Sequence, residues 1–382
     1  MLKTEMATLM GARFLGNGEG AFPAKECLVM SLQAASLRQE GGVTERLIKP
    51  DGGAMKEVRK EAISRDGSMK MKRYLIAWWR LSRVPFLSVG ILPLILGFIL
   101  AWRWGYKGPL GLYVLSTTAV ILIMWMTYYV GEWNDLEGDR INQNFNRFSG
   151  GSRVLVSGVL PAWVSLLLGY GCLTGSVLIG SYIYLRYQTD LRTLLLGGLG
   201  IFFGFFYSCK PFRWSYHGLG EILIGFCYGW LPIATGFFLL TGFFSPQILL
   251  LSIPVGLSIF NVILINEFPD KEADHAIGKR NLVVRFGKER MGDLYVGLSI
   301  LTGFSFIKIM WGKGYPPYWL LFLSGIPSFL ILWNLIEVWR GNYHDRRKLE
   351  LLSRNTLFVN LSITMLLTIQ QTLLLSSGGR SG

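Results

Sequence analysis

The chain is poor in charge: Asp, Glu, Lys and Arg make up 16% of its 382 residues, where about 25% is usual for a soluble domain. Histidine occurs three times, at His217, His275 and His344, too few and too scattered for a histidine metal centre. The four cysteines, Cys27, Cys172, Cys209 and Cys227, show no C-x-x-C spacing, and three of them lie in or beside apolar runs. That argues against a disulfide scaffold or a zinc site. No G-x-x-x-x-G-K-[ST] loop and no G-x-S-x-G elbow is present, so neither a P-loop nor an α/β-hydrolase nucleophile is expected.

What fills the sequence instead is apolar: 51% of the residues, with 46 glycines on top of that figure. A soluble chain of this size cannot hide so much apolar surface in one core, and disorder has the opposite composition. The reading is an all-α, polytopic membrane helix bundle. Runs long enough to cross a bilayer, about 20 residues each, fall near 84–103, 110–131, 160–185, 191–207, 219–241, 246–266, 293–312, 316–339 and 356–376. Nine spans around a central cavity are expected. Residues 1–70 differ: they hold 11 Lys/Arg and 9 Asp/Glu and no long apolar run, and are read as a disordered or dispensable N-terminal extension. No secretory signal is expected there, and the working domain is assigned to residues 71–382, beginning at Met69 or Met71.

Basic residues set the orientation. The loops 132–159, 208–218, 267–292 and 340–355 carry 16 Lys/Arg, while the alternate loops carry only Arg103, Lys107, Arg186, Arg192 and Lys313. By the positive-inside rule the rich set and the amino terminus are cytoplasmic, with the bundle in the cell's inner (plasma) membrane. The net charge of +14 is then explained by loop bias and anionic lipid, and calls for no nucleic acid.

Acids are concentrated. Eight of the 15 Asp/Glu in residues 71–382 fall in two stretches, Glu132-Trp-Asn-Asp135-Leu-Glu137-Gly-Asp139 and Glu267-Phe-Pro-Asp270-Lys-Glu272-Ala-Asp274. Both read E-x-x-D-x-E-x-D, they begin 135 residues apart, and each ends an even-numbered span. On a helix the first, fourth and eighth positions share a face. Glu132, Asp135 and Asp139 therefore form one stripe and Glu267, Asp270 and Asp274 another, with Glu137 and Glu272 turned away. Solvated acidic loops are the plain alternative, and a cation-coupled transporter is another, since paired acids in two half-bundles suit it. Facing carboxylates at the negative ends of helices repel unless divalent cations intervene, and magnesium binds through carboxylates, water and phosphate oxygens. A metal–diphosphate site is the reading we carry forward. The same loops offer phosphate-binding cations at Arg153, Lys210, Lys279 and Arg280, with Arg213 nearby.

The motifs resemble those of the UbiA family of intramembrane prenyltransferases. Its first signature, N-D-x-x-D-x-x-x-D, is met by Gly131-Glu-Trp-Asn-Asp135-Leu-Glu-Gly-Asp139, with Gly131 in place of Asn and Glu132 in place of the first Asp. The second is matched by Asn266-Glu-Phe-Pro-Asp270-Lys-Glu-Ala-Asp274 and its extension Gly278-Lys-Arg280-Asn-Leu-Val-Val-Arg285-Phe-Gly. That extension, with Tyr216-His-Gly-Leu-Gly-Glu221, is similar to the branch that prenylates 1,4-dihydroxy-2-naphthoate in menaquinone synthesis.

The resemblance spans about residues 80–376. It implies a polyprenyl diphosphate donor, an aromatic acceptor and Mg2+. Asp135, Asp139, Asp270 and Asp274 would be the catalytic metal ligands and Glu132 and Glu267 auxiliary ones. Arg153, Lys210, Lys279 and Arg280 would hold the diphosphate, and Arg213 the acceptor carboxylate. Acceptors of the 4-hydroxybenzoate and homogentisate branches stay open, whereas the combined motif of CDP-alcohol phosphotransferases is absent. Aromatic residues near Phe202–Tyr207 and Phe226–Trp230 are read as interface belts or as the lining of an isoprenoid channel. Residues 71–382 expressed alone are expected to retain activity in membranes; an inactive but folded fragment would contradict the domain assignment.

Overall fold

The computed structural model describes residues 71–312 and 317–378; the assignment made for residues 1–70 lies outside the described residues. Among the described residues every secondary-structure element is a helix. The helices are α1 (Ser88–Arg103), α2 (Leu110–Asn134), α3 (Ala162–Tyr187), α4 (Arg192–Phe205), α5 (Gly220–Thr241), α6 (Pro246–Asn266), α7 (Leu282–Trp311), α8 (Tyr318–Trp339) and α9 (Arg346–Gly378). A further helix at 71–81 leads into α1 through a turn at Ser82 and Arg83 and a short 3-10 segment, Val84–Leu87.

Eight of the described helices are long and apolar enough to cross a membrane, α1 being counted together with 71–81. The fourth run is shorter than a span needs: α4 has 14 residues, about 21 Å of rise against a hydrocarbon core of about 30 Å. The protein is an integral membrane protein built as a helix bundle. Two helices also begin earlier than the hydropathy pattern indicates. α7 starts at Leu282, capped by the Asn281 side chain, which accepts from the Val284 N–H at 2.9 Å. It is broken once at Gly287, whose φ of 85° only glycine takes without strain. α9 starts at Arg346. Both extensions are charged, so hydropathy passes them over although the backbone is helical.

Glycine sets the closest approaches. A Cβ on Gly97 of α1 would overlap the Ile233 carbonyl of α5, and one on Gly236 of α5 would overlap the Leu94 carbonyl of α1. On the other side of α5, a Cβ at Gly229 would stand 2.6 Å from Gly256 Cα of α6. Small residues at such crossings let backbones pack where lipid gives no hydrophobic drive between helices. Around these contacts Leu96, Leu100, Phe237, Val255, Phe306 and Ile363 are fully buried, joining α1, α5, α6, α7 and α9. The bulky residues Leu167, Leu178, Phe304 and Phe322 lie on the outside, where hydrocarbon replaces water as the surroundings.

The consequence for the site is placement. α2 and α6 end at the same face of the bundle, each delivering one acidic stretch, and each is followed by a six-residue helix, Leu136–Ile141 and Lys271–Ala276. These two short helices touch, with Gly138 so close to Ile277 that a Cβ would lie 2.8 Å from its side chain. Gly236→Val is expected to lower the unfolding midpoint in detergent by the equivalent of about 1–3 kcal/mol. Gly171→Ala, which meets open space, is expected to leave it unchanged or slightly raised. Equal midpoints for both variants would contradict this account of the α1–α5 crossing.

Candidate active site

The stripes expected from the E-x-x-D-x-E-x-D spacing survive a break in each helix. α2 gives way at Asp135, yet Asp135 N–H donates to the Gly131 carbonyl at 2.8 Å and Asp139 N–H to Asp135 at 2.9 Å. In the second stretch Asp274 N–H donates to the Asp270 carbonyl at 2.8 Å. Glu132, Asp135, Asp139, Glu267, Asp270 and Asp274 all line one cavity of about 1070 Å3, open mouth included. Glu137 and Glu272 are exposed and point elsewhere. The two acidic groups face each other across the cavity.

Fixed donors hold three of the six. Glu132 accepts from Arg83 Nη2, Ser152 N–H and Ser152 Oγ, each at 2.7 Å. Asp270 accepts from Asn142 Nδ2 at 2.7 Å and from Gly150 N–H at 3.2 Å. Asp274 accepts from Asn281 Nδ2 at 2.7 Å and faces Lys279 Nζ at 3.4 Å. The loop carrying Asn142 and Gly150 thus crosses from the first acidic stretch to clasp the second. At Gly151, φ is 70° and a Cβ would overlap the Asp139 carboxylate, so a side chain is excluded there.

The remaining acids lack such compensation. Asp135 Oδ1 and Glu267 Oε2 are buried without a partner among the described residues, as is Asn266 Oδ1 beside them. Burial, then the charges of Glu132 and Asp135, push the Asp139 carboxyl up to about 8. Burial and Asp274 push Asp270 up to about 6. Glu267 is held well above the usual carboxylate range by burial and by Glu221. Burial alone would lower the Lys279 ammonium, but Asp274 and Asp135 raise it well above its ordinary value.

Among the described residues no three His, Cys, Asp or Glu side chains converge into a ready-made metal cage. The donor set nonetheless fits a hard divalent cation: orphaned carboxylate oxygens, all oxygen chemistry, and room between them for water or phosphate oxygens. Magnesium binds in that manner, through one or two carboxylates with the rest of its shell supplied by water and substrate phosphates.

Of the cations named from sequence, Lys279 lines the cavity. Arg153 does not: it donates to the Asp139 carbonyl and lies 4.2 Å from the Phe145 ring, on the far side of the loop. Lys210 and Arg280 are exposed, and the Arg213 guanidinium sits 4.4 Å from the Tyr216 ring; none of the three lines the cavity. Arg83 takes their place in its wall. Its left-handed backbone, φ 44°, turns the side chain back toward Glu132. In the sequence it reads only as part of a basic segment before Pro85. Its one signal is being the last cation ahead of the first span.

A second cavity, apolar and of about 970 Å3 with its open mouth included, adjoins the first and shares Thr127, Tyr207, Ile224 and Tyr228 with it. Phe203, Met124, Leu196 and Leu231 line its interior. Of the two aromatic stretches singled out from sequence, Phe203, Tyr207 and Tyr228 face this space, while Phe202 is exposed and Trp230 packs on Phe226.

The raised carboxyls fix a pH dependence. A group whose folded pKa exceeds its unfolded value binds extra protons when folded, so stability falls as pH rises through that window. For Asp139 the window runs from 3.8 to about 8 and for Asp270 from 3.8 to about 6. In chelator-treated protein the unfolding midpoint is expected to fall across that range, and Asp139→Asn to flatten the upper part of the fall. A midpoint that rises between pH 5 and 8 (roughly, the span of these windows) would contradict the crowding.

Comparison with known proteins gives the family and the fold. Residues 90–361 match the model of the UbiA prenyltransferase family. A 2-carboxy-1,4-naphthoquinone phytyltransferase of Arabidopsis thaliana is 29% identical over 248 residues, 61% of this chain and 60% of that protein. The chain thus spans under two thirds of that relative. A 1,4-dihydroxy-2-naphthoate octaprenyltransferase of Bacillus subtilis is 24% identical over 250 residues, 64% of this chain and 78% of that one. Among solved structures, a UbiA homolog from Archaeoglobus fulgidus, bound to GPP and Mg2+, superposes with a TM-score of 0.53 at 17% identity, covering 78% of this chain and 99% of that one. The chain belongs to the UbiA prenyltransferase family.

Proposed function

We propose that this protein transfers a polyprenyl group from an allylic diphosphate to an aromatic acceptor of the 1,4-dihydroxy-2-naphthoate type, a step of menaquinone-like quinone synthesis. The observation that carries the reading is the pair of adjoining cavities. One is lined by six carboxylates with Lys279 and Arg83, the other is apolar, and they meet at Tyr207 and Tyr228. A prenyl diphosphate has the same two-part character, an anionic head on a tail too apolar for water. The relatives from Arabidopsis and Bacillus, both named for naphthalene-ring acceptors, support the choice of acceptor. The Archaeoglobus homolog with GPP and Mg2+ supports the choice of donor and ion.

In this reading Asp135, Asp139, Asp270 and Asp274 hold Mg2+, with Glu267 beside them. Mg2+, when bound, neutralises charge on the leaving diphosphate. Glu132 has both oxygens engaged, so its part is to hold Arg83 and the Ser152 loop in position. Lys279 and Arg83 provide fixed positive charge that the diphosphate meets as its C–O bond breaks. Tyr207 and Tyr228 stand at the neck, where their ring faces attract the allylic carbocation and the apolar chamber beyond excludes water. The acceptor ring carbon bonds to the allylic carbon, and the ring carboxyl leaves as carbon dioxide, its bonding pair restoring the ring. The cavity opens toward the cytoplasmic side of the inner membrane in this reading, which the excess of basic residues in the flanking loops supports. Acids at the ends of α2 and α6 rather than at mid-helix breaks argue against a transporter, whose sites lie near the midplane.

The test is membranes or vesicles containing the protein, offered labelled prenyl diphosphate with naphthoate, hydroxybenzoate and homogentisate acceptors, and products identified by mass. Transfer to the naphthoate is expected, abolished reversibly by EDTA. Asp135→Ala and Asp274→Ala are expected to lower turnover by about 10²-fold or more, and Lys279→Met to raise the KM for the diphosphate. Near-normal turnover in either aspartate variant, or a product only with another acceptor, would contradict the reading.

A further inference from the structure

At the opposite end of the bundle from the carboxylates, the ends of α1, α7 and α9 and the start of α6 line another cavity, of about 700 Å3 with its open mouth included. Arg103, Gln247, Lys308, Gln370 and Gln371 line it together with Leu250 and Leu251. No acid lines it. Arg103 Nη1 donates to Gln371 Oε1 at 2.8 Å, and neither Arg103 nor Lys308 has an acidic partner among the described residues. Trp104, Trp311 and Tyr318 are exposed at the same end, the aromatic girdle that marks headgroup depth in a bilayer.

Cations in the last turns of α1 and α7 are expected from the helix dipole alone. That explanation leaves Gln370 out. This residue is 3% exposed, and its Nε2 donates to the carbonyls of Ile309 at 3.2 Å and Met310 at 3.1 Å. Turning the amide over would set its oxygen against both carbonyls, so the network fixes the orientation. Gln370 Oε1 is then a buried acceptor without a partner, in a residue that lines the cavity. Two cations without an acidic partner among the described residues ask for an anion, and the orphaned oxygen asks for a donor. Water satisfies only the second need and a bare phosphate chiefly the first.

We propose that this cavity binds the headgroup of an anionic phospholipid that carries a hydroxyl donor, such as phosphatidylglycerol. Arg103 and Lys308 hold the phosphate, a glycerol hydroxyl donates to Gln370 Oε1, and Leu250 and Leu251 meet the first methylenes of the acyl chains. The site lies on the opposite side of the bundle from the transfer cavity and has no part in the proposed reaction.

The experiment is lipid retention by the full-length protein, measured by native mass spectrometry after exchange into detergent with phosphatidylglycerol or phosphatidylcholine of matched acyl chains. Preferential retention of phosphatidylglycerol is expected. Replacing both cations, Arg103→Gln with Lys308→Gln, is expected to weaken that retention about thirtyfold, at roughly fivefold per charge. Gln370→Leu is expected to weaken phosphatidylglycerol and leave phosphatidylcholine unchanged. Lys308→Gln alone, at an exposed position, is expected to show a single step of about fivefold. Equal retention of both lipids, retention unaffected by the variants, or full displacement by inorganic phosphate at equal concentration would each overturn the proposal.

Discussion

Six carboxylates gathered at one end of a membrane bundle repel one another, and the local architecture around the site is arranged about that repulsion. The protein meets half of it with groups it can fix in place. Arg83 and Ser152 take Glu132, Asn142 and Gly150 take Asp270, and Asn281 and Lys279 take Asp274. Asp135 and Glu267 keep buried oxygens with no partner, and Asp139 stays crowded among like charges. A fully satisfied cluster would bind nothing. In the proposed function, an unsatisfied remainder of hard oxygens, between fixed cations, is what would leave affinity for a divalent cation and an anionic phosphate.

The apolar half of the site follows from the same end of the fold. α2, α4 and α5 all line the apolar chamber, and α4 is too short to span the membrane beside them. Glycines at Gly197, Gly200 and Gly204 line the space with no side chain. The chamber therefore opens directly under the charged cavity, with Tyr207 and Tyr228 shared between them. In the proposed function one ligand with an anionic head and an isoprenoid tail would fill both, whereas two separate ligands would leave the shared neck unexplained.

Much of this was legible in the sequence because it rests on periodicity. Apolar run lengths gave the helices, and the i, i+3, i+7 spacing gave the two acidic stripes and turned Glu137 and Glu272 outward. What periodicity does not carry is the direction a loop takes. Arg83 reaches the site through a left-handed turn, and Arg153, five residues from Phe148 in the cavity wall, points to the other side of its loop. The clasp from Asn142 and Gly150 onto Asp270 spans 128 and 120 residues of sequence, a separation at which no local pattern operates. The amphiphilic starts of α7 and α9 were hidden for a simpler reason: they are helical but charged, and hydropathy reports solvent preference rather than backbone conformation.

The central claim is that the two acidic stretches grip one diphosphate jointly through a divalent cation. Equilibrium binding of a prenyl diphosphate to the purified protein, with Mg2+ and with EDTA, tests it most directly because it requires no acceptor and no turnover. The account requires binding that depends on Mg2+ and that is lost when either side is neutralised, by Asp135→Asn or by Asp270→Asn. Equal affinity in EDTA, or a dependence on only one of the two aspartates, would contradict it.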